Sequence, residues 1–472
     1  MIKKILIANR SEIAVRIIRA CAEMGIRSVA IFSEADRFSL HVKKADEAYC
    51  IGSEELAGYL NPHRIVNLAV ETGCDAIHPG YGFLSENPEL ARICALRGVR
   101  FIGPGAQTIQ IMGDKTEARR TMIAAGVPVT PGSADNVGSL EEALNEAIRV
   151  GYPVMLKATS GGGGRGIRRC NDEKELRQNY QRVISEATKA FGSASVFLEK
   201  CVLDPRHIEV QILADCHGNV AHLFERDCSI QRRNQKLIEI APSPQLTPEQ
   251  RERIGELAVR AARAANYENA GTVEFLLTAD GEFYFMEMNT RVQVEHTITE
   301  EITGIDIVKE QIRIAEGHPL SFTQNEVQPR GYAIQFRVNV EDPKNDFLPC
   351  FGRLTRYYAP GGPGVRTDTA IYTGYQIPPH YDSMVAKVIV WGRSWPEAVA
   401  RGRRALNDMV IGGVRTTIPF YQEILNHPEF QAGRFHTGFL AAHPELTNYS
   451  LKRSPEEAAI TIAAAIAAHV GL

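Results

Sequence analysis

Two carboxylates stand alone in otherwise apolar runs, Glu274 in Gly271-Thr-Val-Glu-Phe-Leu-Leu and Glu287 in Phe283-Tyr-Phe-Met-Glu-Met-Asn289. If Asp280-Gly281 forms a two-residue turn, Ala279 pairs with Glu282, Glu274 lies opposite Glu287, and Asn289 shares their face. Like charges roughly 5 Å apart destabilise a sheet unless one is protonated or a cation lies between them. Two carboxylates and an amide oxygen suit a hard ion such as Mg2+, which keeps waters and phosphate oxygens as its other ligands. The plainer reading, an edge hairpin with its acids in water, sits badly with the apolar content of both runs.

A phosphate site is expected upstream. Ser160-Gly-Gly-Gly-Gly-Arg-Gly166 joins a strand ending at Lys157 to Ile167-Arg-Arg-Cys170. Successive backbone N–H groups in such a loop approach phosphate oxygens, with Lys157 and Arg165 countering their charge. It is not a Walker A loop, because the Lys-Ser/Thr ending is absent and the loop bridges two strands rather than opening a helix. Glycine runs also make flexible linkers; Lys157 and the acidic hairpin favour phosphate here. Glu199 and Lys200 end an apolar strand where they can offer hydrogen bonds to an adenine edge. Alternation then puts His207, Glu209 and Gln211 on one strand face, although His207 alone would be read as a hydrogen-bonded strand histidine. Arg226-Asp-Cys-Ser-Ile-Gln-Arg-Arg-Asn-Gln-Lys236 packs four cations and two glutamines into eleven residues. Charge at that density, left unpaired, requires an anion; Cys228 within it is read as a packed thiol.

These residues need a scaffold. The first hundred residues alternate buried strand and amphipathic helix, a βαβ pattern that predicts a parallel, Rossmann-like sheet. Its first turn, Ala8-Asn-Arg-Ser-Glu-Ile-Ala, lacks the glycine fingerprint of a dinucleotide site. His78-Pro-Gly-Tyr-Gly-Phe-Leu-Ser-Glu-Asn87 is either a structural turn or a loop placing Tyr81 and Glu86 at a cleft. A boundary falls near Gly113, where Asp114-Lys115 opens a helix, and a third region of alternating strands starts near 331. By itself the helix at Arg16 to Glu23 is read as an ordinary solvated face. The last segment, Ser454 to Val470, should be an apolar helix with an N-cap serine and an N1 proline, packed on its own domain or docked on another chain.

Bulk properties narrow the function. The 472 residues carry a net charge of -3, so no footprint for nucleic acid exists. No apolar run is long enough to span a membrane, and the start reads as a strand rather than a signal peptide, so a cytoplasmic protein is expected. Nine cysteines without a CxxC pair argue against disulfides and structural zinc.

Taken together, Gly113-Asp-Lys, the glycine loop, Arg206-His-Ile-Glu-Val-Gln, the Arg226–Lys236 run, Glu287-Met-Asn-Thr-Arg-Val-Gln-Val-Glu-His296 and Tyr381-Asp-Ser-Met resemble biotin carboxylase, of the ATP-grasp superfamily. The resemblance covers roughly residues 1 to 446. It implies an N-terminal domain over 1–113, an ATP-grasp domain over 114–330 with a glycine-rich lid at about 131–203, a mostly antiparallel C-terminal domain over 331–446, and a helical extension over 447–472. It further implies ATP binding by Lys115, Lys157, Gly162, Gly163, Gly164, Glu199, Lys200, His207, Gln231 and Asn234. Mg2+ or Mn2+ would be held by Glu274, Glu287 and Asn289. Bicarbonate would meet Lys236, Arg291, Gln293, Val294 and Glu295, with Glu295 as base, and Arg337 would stand beside the biotin ureido oxygen. Asn234 departs from the aromatic or imidazole side chain common in the family, with a shift in nucleotide affinity expected. The resemblance also implies a homodimer whose partner is a separate chain bearing the biotin carboxyl carrier domain and carboxyltransferase, because no Met-Lys-Met occurs here. A contact between protomers at the helix from Arg16 to Glu23 is what the resemblance implies as well. In style the chain is closer to the biotin carboxylase subunit of two-subunit pyruvate carboxylase than to that of acetyl-CoA carboxylase. Two other readings stand beside it: an ATP-grasp ligase joining a carboxylate to an amine, and a nucleotide-binding subunit without turnover.

Overall fold

The computed structural model describes residues 1–133, 135–158, 166–191, 195–449 and 455–470. The N-terminal lobe is the expected parallel sheet, ordered Glu47–Cys50, Arg27–Phe32, Lys4–Ile7, Ala76–His78, Arg100–Phe101. Ile13, Ala14, Ile17 and Ile18 of helix Ser11–Glu23 pack into its core. Arg16 on that helix is not on a solvated face. It is buried in its own chain, paired with Glu300 at 2.8 Å and Asp306 at 2.6 Å, while Arg19 is half exposed.

The glycine loop's flanking strands, Val154–Ala158 and Ile167–Cys170, form a small antiparallel sheet with Val196–Lys200, covered by helices Leu140–Val150 and Glu173–Phe191. This sheet keeps a core of its own, built on residues such as Val154, Leu156, Leu176 and Leu198. Gly162, Gly163, Gly164 and Arg165 lie outside the described residues.

Eight of the remaining strands make one sheet, ordered Phe283–Asn289, Asn269–Leu277, Arg206–Ala214, Val220–Arg232, Gln235–Ala241, Tyr332–Asn339, Met384–Gly392, Val365–Thr369, and the other four form two short two-stranded ribbons. It runs without a break across residue 331, because Tyr332–Asn339 pairs with Gln235–Ala241. The antiparallel strands of the third region therefore extend the central sheet. Helix Trp395–Asp408 packs on it through Ala398, Val399, Ala405 and Leu406.

Glu274 does lie opposite Glu287, but by another route than a two-residue turn. Leu277 pairs with Phe283 and the Thr278 N–H donates to the Glu282 carbonyl, so the loop holds three residues and shifts the register by one. An irregularity between the Phe275–Phe285 and Glu274–Glu287 pairs, at Met286, shifts it back. A bulge thus cancels the longer turn. Gly281 takes the left-handed conformation (φ 89°) that such a loop needs.

Helix Pro455–Val470 forms as expected, with Ser454 outside the described residues. Ile460, Ile462, Ile466 and Val470 are 57–69% exposed, so these side chains are not packed on the chain's own domains. Among the described residues no helix is long and apolar enough to cross a membrane.

Candidate active site

A cavity of about 1250 Å³ opens between the N-terminal lobe, the small sheet and the large one. Its size exceeds the usual range for one small ligand and suits a nucleotide plus a second substrate. Tyr81 lines it, and Glu86 sits behind it against Arg291, so the loop after strand Ala76–His78 belongs to the site.

On one side of it, Glu209, Glu274 and Glu287 stand in a row across three neighbouring strands. Glu274 is the shared acceptor: Lys236 (2.9 Å), Asn289 (2.9 Å) and Gln293 (2.8 Å) donate to Oε1, and His207 Nε2 lies 2.7 Å from Oε2. Burial would raise its pKa, but Lys236 and His207 hold it well below the usual carboxylate range. Glu287 differs. It makes no hydrogen bond or ion pair among the described residues, and burial with the facing Glu274 pushes its pKa up. An unanswered carboxylate beside an ionised one, with the Asn289 amide adjacent, fits a hard divalent cation.

The nucleotide-facing residues surround this row. Asp114 caps helix Lys115–Ala124, accepting from the Thr116 and Glu117 N–H groups, and so fixes Lys115 at the cavity. Lys157 pairs with Glu199 on the neighbouring strand. The Lys200 ammonium is committed to the Gly151 and Tyr152 carbonyls at 2.8 and 3.0 Å, leaving its backbone as the part that borders the cavity. Gln231 reaches His207 Nδ1 at 3.3 Å. Arg233 and Asn234 form the two-residue turn between Arg232 and Gln235, with φ of 50° and 63°. Asparagine tolerates that left-handed conformation better than a branched or bulky side chain.

Opposite lies a tight charge network. Lys236 bridges Glu209, Glu274 and, at 2.8 Å, Glu295. Arg337 pairs with Glu239 and, at 3.1 Å, with Glu295. Burial opposes ionisation of Glu295, but Lys236, Arg337 and Arg226 hold its pKa far below the usual range, so it is ionised, with Lys236 on one oxygen and Arg337 on the other. Arg291 is splayed among Glu86 (2.8 Å), Asn289 (2.9 Å) and Gln293 (3.0 Å), which aims its guanidinium along the cavity wall. Val294 presents its carbonyl to Lys387 at 3.0 Å. Cys228 is packed, as read, with its thiol kept protonated by burial and 3.8 Å from Glu295.

The dense cationic run is not unpaired. Arg226 is fully buried against Glu209, Arg232 and Arg233 pair with Asp346, and Lys236 holds three acids. Its anions are the protein's own carboxylates, brought from distant strands. Two further residues were not singled out from the sequence. Glu239 holds Arg337 and Gln335, and fully buried Lys387 ties Glu12 at 3.0 Å to the Val294 carbonyl. Each carries the signal used for Glu274, a lone charge in an apolar strand.

Comparison with known proteins agrees with this geometry. Residues 1–109 match the family model for the biotin carboxylase N-terminal domain, 114–323 that for the carbamoyl-phosphate synthase L chain ATP-binding domain, and 335–442 that for the biotin carboxylase C-terminal domain. Biotin carboxylase 1 of Bacillus subtilis is 54% identical over 445 residues, covering 94% of this chain and 99% of that one. A pyruvate carboxylase subunit of Methanothermobacter thermautotrophicus is 53% identical over 93% of this chain and 90% of its own. The crystal structure of the 2-oxoglutarate carboxylase biotin carboxylase domain dimer of Hydrogenobacter thermophilus, in complex with MgADP, ADP and bicarbonate, superposes with a TM-score of 0.94 at 54% identity. That match covers 96% of this chain and all of that one. With the acidic ribbon, the Lys236–Glu295–Arg337 network and these matches in hand, the chain belongs to the biotin carboxylase family of ATP-dependent ligases, as the biotin carboxylase component of a multisubunit carboxylase.

Proposed function

We propose that this chain uses MgATP to activate bicarbonate and carboxylates biotin carried by a separate chain. The observation that carries the reading is one cavity holding both an ionised Glu274 facing Glu287, which has no hydrogen bond or ion pair among the described residues, and an ionised Glu295 flanked by Lys236 and Arg337. Glu274, Glu287 and Asn289 would hold Mg2+, which would supply charge neutralisation at the phosphate oxygens. Lys115, Lys157 and His207 position the nucleotide, with Gln231 setting the orientation of the His207 ring. Arg291 and Lys236 hold bicarbonate, while Gln293 and Val294 fix its orientation. Glu295 takes the bicarbonate proton, and the resulting dianion attacks the γ-phosphate, breaking its bond to the β,γ-bridging oxygen and releasing ADP, to give carboxyphosphate. Arg337 stabilises the enolate-like ureido oxygen that forms when biotin N1 loses its proton, and Glu239 keeps the guanidinium aimed at it.

ATP cleavage by the purified chain is expected to require bicarbonate and to rise with free biotin. Cleavage that instead requires an amino-acid acceptor points to a carboxylate–amine ligase, and nucleotide binding without cleavage to a non-catalytic role; either result overturns the reading. For the final acceptor we favour a 2-oxo acid, pyruvate as expected from the sequence or 2-oxoglutarate, over acetyl-CoA. Support comes from the relatives named for pyruvate and 2-oxoglutarate carboxylases. Assay of the complex with its carrier-bearing partner on each acceptor decides this, and carboxylation of acetyl-CoA alone refutes it. We take the chain as a homodimer, in line with the dimeric structural relative; a monomer by light scattering at working concentration contradicts that.

A further inference from the structure

Behind the Thr437–Gly438 edge of the cavity, where the last short helices of the C-terminal domain meet, His427, Glu429 and His443 bring ligand atoms within 4.8 Å of one another. His427 ends helix Ile418–Asn426 and precedes Pro428–Gln431; His443 ends Phe439–Ala442. Both rings pack on buried Phe439, at centroid distances of 5.3 Å for His427 and 4.8 Å for His443, and lie 4.2 Å from each other. The two imidazoles are therefore held in place by the core rather than left as free surface groups.

The hydrogen bonding of His443 is complete only with a second ring proton or a bound cation. Its Nδ1 lies 3.0 Å from Glu445 and its Nε2 3.2 Å from Glu429, a carboxylate oxygen at each end. A neutral imidazole has one N–H, so one of those oxygens faces a lone pair. His427 Nδ1 is also buried without a hydrogen-bond partner among the described residues. A cation bound between these groups removes both faults.

We propose that His427, Glu429 and His443 form a binding site for a divalent transition-metal ion of the zinc class. Two imidazoles and one carboxylate suit Zn2+ and not Mg2+ or Ca2+, which prefer all-oxygen sets. Donors at about 2.0–2.1 Å on a tetrahedral ion stand roughly 3.3 Å apart, close to the His443–Glu429 separation. Glu445 then accepts from Nδ1–H of His443 and fixes the tautomer that points Nε2 at the ion, the usual carboxylate–histidine–metal relay. The ion joins helix Ile418–Asn426 to the segment that ends the domain, so it stabilises that end of the fold and takes no part in the chemistry of the cavity.

The test is Zn2+ titration of the full chain by calorimetry, with MgADP in excess to occupy the nucleotide site, alongside thermal melts. One additional equivalent of Zn2+ is expected, with a rise in Tm. The equivalent and the rise are lost in His443→Ala and weakened at least tenfold in Glu429→Gln, whose exposed side chain can change without disturbing the fold. ATP cleavage by Glu429→Gln stays at the parent level. No additional equivalent in the parent protein, or unchanged uptake in Glu429→Gln and His443→Ala, overturns the proposal and leaves His443 as a doubly hydrogen-bonded imidazolium.

Discussion

At the edge of the large sheet half-buried Glu287 makes no hydrogen bond or ion pair among the described residues and feels Lys115 and Lys236 only at a distance, whereas fully buried Glu239 and Glu295 are tied with Lys236 and Arg337 into one network. The difference lies in what completes them: the edge needs an external cation, and the centre is complete without one and holds its groups in position. Removing a charge should therefore have opposite effects on stability in the two places.

The largest effect is expected for Glu287→Gln. ATP cleavage should fall by about 10²–10³-fold at fixed Mg2+, with a raised Mg2+ requirement. Without Mg2+, however, this variant should melt higher than the parent. The sign follows from the raised pKa of Glu287: the ionised group costs stability, so the parent loses stability as pH climbs from 4.5 through the raised value. Glu287→Gln should lack that slope, and melts from pH 4 to 8 in EDTA would show it. An equal slope in both proteins would break the contrast.

Next comes Arg337→Ala, which strands Glu239 without its cation and leaves Glu295 with Lys236 alone. A loss of about 3–5 kcal/mol is expected in denaturant melts. Biotin carboxylation should drop more than bicarbonate-dependent ATP cleavage, and the reverse order would refute the role given to Arg337. A smaller effect is expected for Glu239→Gln, which keeps one of the two acceptor oxygens, turns an N–H toward the other donor and removes the countercharge. Stability should fall by about 1–3 kcal/mol, and the KM for biotin should rise while that for ATP holds. Smallest is Asn234→Ala. The left-handed turn position should cost roughly 1 kcal/mol in Tm-derived stability, with ATP cleavage within about twofold of the parent, because Asn234 borders the cavity without holding any charge.

Much of the site was legible because a charge inside an apolar strand is costly wherever it falls. Glu274 and Glu287 were readable as a pair since they flank one hairpin, and a face-to-face register follows from few residues. Glu239 and Lys387 bear the same mark, yet their partners, Arg337 for one and Glu12 for the other, stand far away in sequence. Nothing local announces such a partner. The same limit explains the Arg226–Lys236 run, read as surplus charge though its acids come from four other strands and loops. Turn length was also misjudged, since Asp280-Gly281 suits two turn types and only the bulge at Met286 restores the pairing.

From residue types and short-range periodicity came the parallel lobe, the acidic ribbon, the phosphate-loop strands and the family resemblance, because each depends on neighbours within a few positions. Tertiary structure alone decided which charges meet. It joined the third region to the central sheet, buried Arg16 against Glu300 and Asp306, committed the Lys200 ammonium to backbone carbonyls, and left Glu287 unanswered. The physical reason is that Coulomb energy in a buried site is set by separation in space, and the separations that matter here join residues tens to hundreds of positions apart.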